Sequence, residues 1–288
     1  NAPLAVTASG VYTAVKMVAD PTNLIPPNSG CWRPITMKAP EGTVTNATYP
    51  APVVYANHEI SHLVCEMFFG ALAQVVPDRV MACSNATGGI LTLGGVDPRT
   101  GGRYVSYENV KGGMGARPTK DGINGIYTGI SNGMNVPVEI LETSFPVRVE
   151  RYEIVPDSGG AGRYRGGCGV VRVWHMLGPG AMANVCLERT VDPPFGLFGG
   201  GDGAPGQITL ALPDGERRRL ASKASFAVPV GAEVRLQAPG SGGYGPAAER
   251  DGRALEDDLL NGYVTPEAAR RDYGYASGRL STSSRDAP

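Results

Sequence analysis

Residues 148–169 read RVERYEIVPDSGGAGRYRGGCG, and this stretch decides the fold class. It opens as a strand. Val149, Tyr152, Ile154 and Val155 are β-prone and interleave with the charges of Arg148, Glu150, Arg151 and Glu153. It then breaks into PDSGGAGRYRGGCG, with six glycines in fourteen residues. Glycine at this density marks positive-φ turns or places where one backbone lies directly against another. Arg163 and Arg165 flank Tyr164 inside the run. The residues alone leave two readings open: a loop that cradles an anion, or a packed β-corner carrying exposed arginines.

Outward from this corner, residues 138 to about 239 read as all-β, as short strands separated by Gly, Pro and Asp turns. On the N-terminal side, Leu4, Ala8, Val11, Val15 and Val18 form one apolar stripe. They predict a helix over 3–19, closed by Asp20-Pro21. A second helix is predicted over 58–75. Ile60, Leu63, Val64, Met67, Phe68, Ala71, Leu72 and Val75 share a face there, Asn57 is placed to cap it, and Pro77 follows its end. Proline-rich residues 21–56 suggest short strands near 35–38 and 52–55, and further strands are expected at 89–93 and 103–109. Residues 111–136 form a long glycine-rich loop of the kind that carries function. Short helices are expected at 255–260 and 266–272, the second with Thr265 as N-cap and Pro266 in its first turn. The expectation is an α+β chain. Its mixed α/β region with substrate-pocket loops covers 1–137, and a β-rich, sandwich- or barrel-like domain covers 138–250. A helical segment at 251–275 and a flexible polar tail at 276–288 follow.

Composition narrows the partners. A chain of 288 residues with 42% hydrophobic residues can bury a sizeable core, and its formal net charge is −1. That balance points to neither nucleic acid nor a membrane surface. Five cysteines, at 31, 65, 83, 168 and 186, are odd in number and contain no C-x-x-C. They fit a reducing, cytoplasmic setting better than a disulfide frame. The most apolar segment, 60–76, is interrupted by Glu66 and Gln74, so no membrane span is expected. The first residue is Asn1 rather than Met, which reads as a processed or partial polypeptide.

His58-Glu59-Ile60-Ser61-His62 is a literal H-E-x-x-H on the predicted second helix. A spacing of four would put both imidazoles on one face, where they could hold zinc with Glu59 as base. A catalytic zinc needs a third protein ligand. His175, the only other histidine, lies far along the chain, and Phe68 stands where an extended motif has its third histidine. His58 and His62 are therefore weak metal candidates. In the long loop, Asn132 and Asn135 could orient an amide or carbonyl substrate, or satisfy loop backbone. Glu108, Glu139 and Glu142 are candidate carboxylates near it, with the two in VEILE expected on a strand. Cys31 and Cys83 fall in predicted loops without a histidine partner nearby in sequence. ERRR at 216–219 reads as a solvated hairpin tip. No G-x-x-x-x-G-K-[ST] and no G-x-G-x-x-G after a strand occurs, so the chain carries no nucleotide motif of its own.

The run P-D-S-G-G-A-G-x-Y-R-G-G-x-G closely resembles the hydantoinase B/oxoprolinase family. Supporting pieces in the same order are NAPLAVTASGVY (1–12), PPNSGCWRPI (26–35), APEGTVTN (39–46), KGGMGA (111–116), NVPVEILE (135–142), PPFGLFGGGDGAPG (193–206), APGSGGYGP (238–246) and NGYVTPEAARRDYG (261–274). The family's members are longer, and the chain resembles their C-terminal half. The resemblance implies part of the B-type subunit of an ATP-dependent, metal-dependent cyclic-amide hydrolase, forming substrate pocket and subunit interface. Glu59, Glu108, Asn132, Asn135 and Glu139 are the candidate pocket residues. Phosphorylation of an imidate-like oxygen would turn an unreactive amide into one that water can open. ATP would sit on a hydantoinase A-type partner, and the divalent metal on the missing N-terminal half of the B-type subunit. The same resemblance allows a ketone carboxylase subunit, or a non-catalytic assembly chain. The substrate would be a small cyclic amide or ketone. In the HEISH segment, Asn57, Glu59 and Ser61 match a family pattern resembling G-N-x-E-x-S, while both histidines depart from it. Tyr127-Thr128-Gly129 likewise departs from an H-T-H-like run.

Overall fold

Residues 1–126, 130–131 and 133–275 are described in the computed structural model. Asn132, the run 127–129 and the tail 276–288 lie outside the described residues. The remainder is α+β, with two antiparallel sheets packed face to face. In the first sheet β1 (Ile90–Val96) pairs with β2 (Arg103–Asn109) and with β5 (Ala181–Cys186), and β5 pairs with β8 (Lys223–Val228). The second has the order β3 (Val147–Ile154), β4 (Val170–Met176), β9 (Glu233–Gln237), β6 (Gln207–Ala211) and β7 (Arg217–Arg219). The first sheet takes two strands from each side of residue 137, so the two halves of the chain share one core.

Alternation explains which residues face that core. Leu91 and Leu93 of β1, Ala183 and Val185 of β5, and Trp174, Met176, Ile208, Leu210, Val234 and Leu236 of the second sheet form one buried cluster. Each fully buried Val, Leu, Ile or Met side chain among them contributes about 1.5–3 kcal/mol by leaving water. On the opposite side of the first sheet the rows are polar: Tyr107, Thr92, Asn184 and Ser225 align across its four strands. Two helices, α1 (Leu4–Ala19) and α3 (Ile60–Leu72), pack against each other, and between them lies the short turn α2 (Ser29–Trp32). Gly10 makes the α1–α3 approach possible, since a Cβ there would sit 2.6 Å from the Ser61 carbonyl oxygen.

Several expectations need correction. Residues 35–38 and 52–55 are turns and irregular backbone, because the prolines around them remove the donors a ladder requires. Residues 138–144 form a helix, α4 (Val138–Ser144), rather than a strand, and Pro137 at its N-cap is the start signal. Glu139 and Glu142 therefore sit on a helix, and Glu142 accepts the Val149 N–H. The second helix begins at Ile60 and ends at Leu72, inside the predicted limits. The C-terminal helices are α5 (Gly252–Leu260) and α6 (Pro266–Tyr273), and Thr265 caps α6 through Ala268 N–H as expected. Residues 217–219 form the exposed edge strand of a hairpin with β6.

The glycine-rich corner is a packed β-corner. Its glycines let backbones touch: a Cβ on Gly240 would lie 1.7 Å from the Ser158 carbonyl oxygen. Only half of the exposed-arginine expectation holds. Arg163 is exposed, but Arg165 is 3% exposed and bound to Asp258, Asn124 and the Gly166 carbonyl. No helix among the described residues is long and apolar enough to cross a membrane.

Candidate functional site

The outward, polar face of the first sheet meets the turn that leads into α3. Between them lies a cleft of about 360 Å³ lined by Asn1, Tyr55, Glu59, Asn184, Cys186, Lys223 and Ser225, among others. Glu59 is at the N-cap of α3 and is 3% exposed. Its Oε1 accepts from the Thr87 hydroxyl at 3.1 Å, while Oε2 is buried without a partner among the described residues. Burial first, and then the charge of Glu188, push the Glu59 carboxyl up to about 8. It therefore holds a proton near neutral pH, when an ordinary glutamate has lost its own.

Thr87 fixes the geometry of this pair. Its hydroxyl donates to Glu59 and accepts the Glu188 backbone N–H at 3.0 Å. Lys223 forms an ion pair with Glu188. Burial is the largest single influence and works against the Lys223 charge, but the hydrogen bond and charge of Glu188, with Cys186 and Glu59, together outweigh it and raise the ammonium above its usual range. Cys186 faces the same carboxyls, and burial pushes its thiol up to about 12, so it is not a nucleophile at neutral pH. A second buried acid, Glu66, accepts the Ser84 N–H at 3.0 Å and ties α3 to the loop that carries Thr87. Burial raises it to about 7.

The H-E-x-x-H does not lie on a regular helix. His58 lies in the turn before α3, so the two histidines do not share a regular helical face. His58 Nε2 is 3.1 Å from the Tyr107 hydroxyl. Burial, followed by the neighbouring His58, holds His62 down at about 4. The grouping of three possible metal ligands among the described residues is Glu150, His175 and Glu233, which contains neither of them. Arg148 already donates to Glu150 in that grouping.

The other nominated residues scatter. Glu108 is 4% exposed and pairs with Arg172 at 2.5 Å inside the sandwich, where burial raises its carboxyl. Asn135 is exposed and donates to the Tyr152 hydroxyl at 2.6 Å. Glu139 is exposed in the first turn of α4. Cys31 is in α2, and Cys83 is buried with its thiol raised by burial. Thr87, Asn184, Glu188 and Lys223 went unmarked in the sequence. Their only signal is the strand pairing that lines up Asn184 with Ser225 and Cys186 with Lys223.

The model of the hydantoinase B/oxoprolinase family matches residues 1–247. The chain belongs to that family. It is 36% identical over 273 residues to an uncharacterised protein of Methanocaldococcus jannaschii, covering 95% of this chain and 47% of the relative. It is 32% identical to 5-oxoprolinase 1 of Arabidopsis thaliana, covering 85% of this chain and 18% of that protein. The crystal structure of an ATP-dependent caprolactamase from Pseudomonas jessenii superposes with a TM-score of 0.82 at 30% identity. That match covers 93% of this chain and 48% of the caprolactamase chain. The family chain thus spans about half or less of these relatives. Its matched region ends before α5 and α6.

Proposed function

We propose that this chain is part of the B-type subunit of an ATP-dependent cyclic-amide hydrolase, in which it forms a substrate-pocket wall and a subunit interface. The observation that carries the reading is the cleft floored by Glu59, where a buried acid that keeps its proton meets Glu188 and Lys223 beside open space. Such pairs of groups with opposed proton affinities are typical of acid–base sites. Family membership and the likeness to a caprolactamase and an oxoprolinase support the amide class.

ATP does not fit the glycine-rich corner. The Gly160, Gly166, Gly167, Gly201 and Gly243 N–H groups all donate to backbone carbonyls of the corner and the segments packed on it. These five N–H groups are therefore not free to hold phosphate. The nucleotide belongs on an A-type partner, and the divalent metal on the B-type residues outside this chain. Here the chain's own work is to seat the amide, to exclude water from Glu59, and to hold the Glu59 proton against the amide.

The test is intact-complex mass spectrometry of native material, followed by ADP release in the presence of 5-oxoproline, a hydantoin or caprolactam. Lactam-dependent ADP release by a complex containing this chain is the expected result. Ketone- and bicarbonate-dependent ADP release without lactam opening would replace the reading with a carboxylase. A chain that purifies alone and neither opens lactams nor joins a partner would overturn it.

A further inference from the structure

The floor of the cleft offers an acid with one oxygen to spare. Thr87 occupies one position on Glu59 Oε1, and Oε2 is buried without a partner among the described residues. A neutral carboxyl group presents a hydroxyl donor and a carbonyl acceptor side by side. A small lactam is locked with its peptide bond cis, so its C=O and N–H share one edge and match that pair. Acyclic secondary amides are trans and present the two groups on opposite edges. An ionised carboxylate has no donor and repels the lactam oxygen.

We propose that Glu59 reads the cis-amide edge of the substrate, donating from its hydroxyl to the lactam carbonyl and accepting the lactam N–H. This rests on the cyclic-amide reading above and assigns the residue that selects rings over open chains. The surroundings favour the required form. Facing Glu59 are Glu188 and Cys186 from β5 and its continuation, Lys223 from β8, Tyr107 from β2 and Thr87 from the loop before β1. His58 and His62 lie on its own segment. Glu188 discourages a second negative charge and engages the acid in a hydrogen bond, while Thr87 holds the acid in one orientation although its hydrogen bond favours the ionised form. Lys223 acts against this, but its short contact is with Glu188.

The test uses the full chain, alone and in its complex, with 2-pyrrolidinone as probe. N-methyl-2-pyrrolidinone lacks the N–H, and N-methylacetamide is trans; each is expected to bind about 10-fold more weakly or worse, as for a stranded buried polar group. The Kd for 2-pyrrolidinone is expected to rise as pH climbs through about 8, where Glu59 loses its proton. Glu59→Gln presents an amide with the same donor–acceptor pair, so its Kd should no longer depend on pH over that range. Glu59→Leu removes both groups and should weaken binding about 10-fold or more. Equal binding of the N-methyl analogue, a flat wild-type profile, or unchanged affinity in the leucine variant would each overturn the proposal. If the leucine variant does not fold, the glutamine profile decides. ATP-dependent lactam opening that keeps its KM in Glu59→Leu would refute this assignment and leave the functional reading standing. Glu59-dependent, pH-dependent lactam binding in a complex that never couples it to ATP would do the reverse.

Discussion

Removing the Asp258 carboxylate should detach the C-terminal helices from the glycine corner. Asp258 is 4% exposed, and its two oxygens accept from Arg165 Nε at 3.1 Å and from Arg250 Nη2. Asp121 completes the cluster, taking Arg250 on both oxygens and the Arg165 backbone N–H at 2.7 Å. Two guanidiniums thus face two carboxylates in a site where the arginine side chains are 4% and 2% exposed. In Asp258→Ala two buried cations share one anion. Breaking a buried pair from one side costs about 3–5 kcal/mol. The lower end is expected, because Arg165 keeps Asn124 and the Gly166 carbonyl, and Arg250 keeps Asp121. For a chain of this size that corresponds to a Tm drop of roughly 6–12 °C, read by calorimetry. The exposed neighbour Asp257→Ala is the control, with less than about 0.5 kcal/mol expected. The double variant Arg165→Met/Asp258→Leu should recover part of the loss, since it removes the stranded charge as well as the pair. A loss below about 1 kcal/mol in Asp258→Ala would show that the cluster is hydrated rather than sealed, and would refute the reasoning.

Further outcomes follow from the same physics. Gly240→Ala should cost about 2 kcal/mol or more by chemical denaturation, because its Cβ meets the Ser158 backbone oxygen at 1.7 Å; Gly252→Ala, with open space around it, should be neutral or stabilising. Glu108→Ala should cost about 3–5 kcal/mol in urea unfolding by stranding Arg172, which is 1% exposed, and Arg172→Met in the same chain should restore part of it. Glu59→Gln should raise Tm increasingly as pH goes from about 5 to about 8. The folded state holds the Glu59 proton up to about 8 and the unfolded chain releases it near 4.5, so wild-type stability is full below 4.5 and falls through that window while the glutamine variant's does not. Acidification should cost stability between about 6.5 and about 4, where unfolded His62 takes a proton that its buried form refuses, and His62→Phe should flatten that limb.

Much of the fold was legible because it depends on near neighbours. The stripe Leu4–Val18, the Thr265-Pro266 start and the glycine corner each carry their signal within one or two turns of chain. VEILE misled because five residues alternate equally well as a strand or as one helical turn, and only Pro137 separates the two. Arg165 misled for a different reason. Its carboxylate partner is 93 residues away, so nothing local shows that the charge is neutralised. Glu59 stands out in the sequence twice, in the H-E-x-x-H and in the match to G-N-x-E-x-S, but its burial against Thr87 and Glu188 acts at separations that neither motif records.

The buried charges of the chain divide by what their oxygens do. In Asp121 and Asp258 all four carboxylate oxygens accept hydrogen bonds, and the cluster balances two positive against two negative groups. Such closure leaves no carboxylate oxygen for a ligand to complete, although Arg250 Nε is buried without a partner among the described residues, and it joins the C-terminal helices to the corner. At Glu59 the accounting stays open. One oxygen is orphaned, a like charge stands opposite, and Asn85 on the Thr87 loop also keeps a buried amide oxygen without a partner among the described residues. Buried polar atoms left unpaired cost about 1–3 kcal/mol each, and a fold retains them where a bound molecule or a proton transfer repays the cost. The same reasoning keeps Glu108 and Arg172 out of the site although Arg172 has unpaired nitrogens, because its guanidinium lies over the Tyr152 and Trp174 rings inside the sandwich and away from any described cleft wall. An unpaired group beside open space is a binding surface, and Glu59, on the wall of the cleft against the first sheet, meets both conditions.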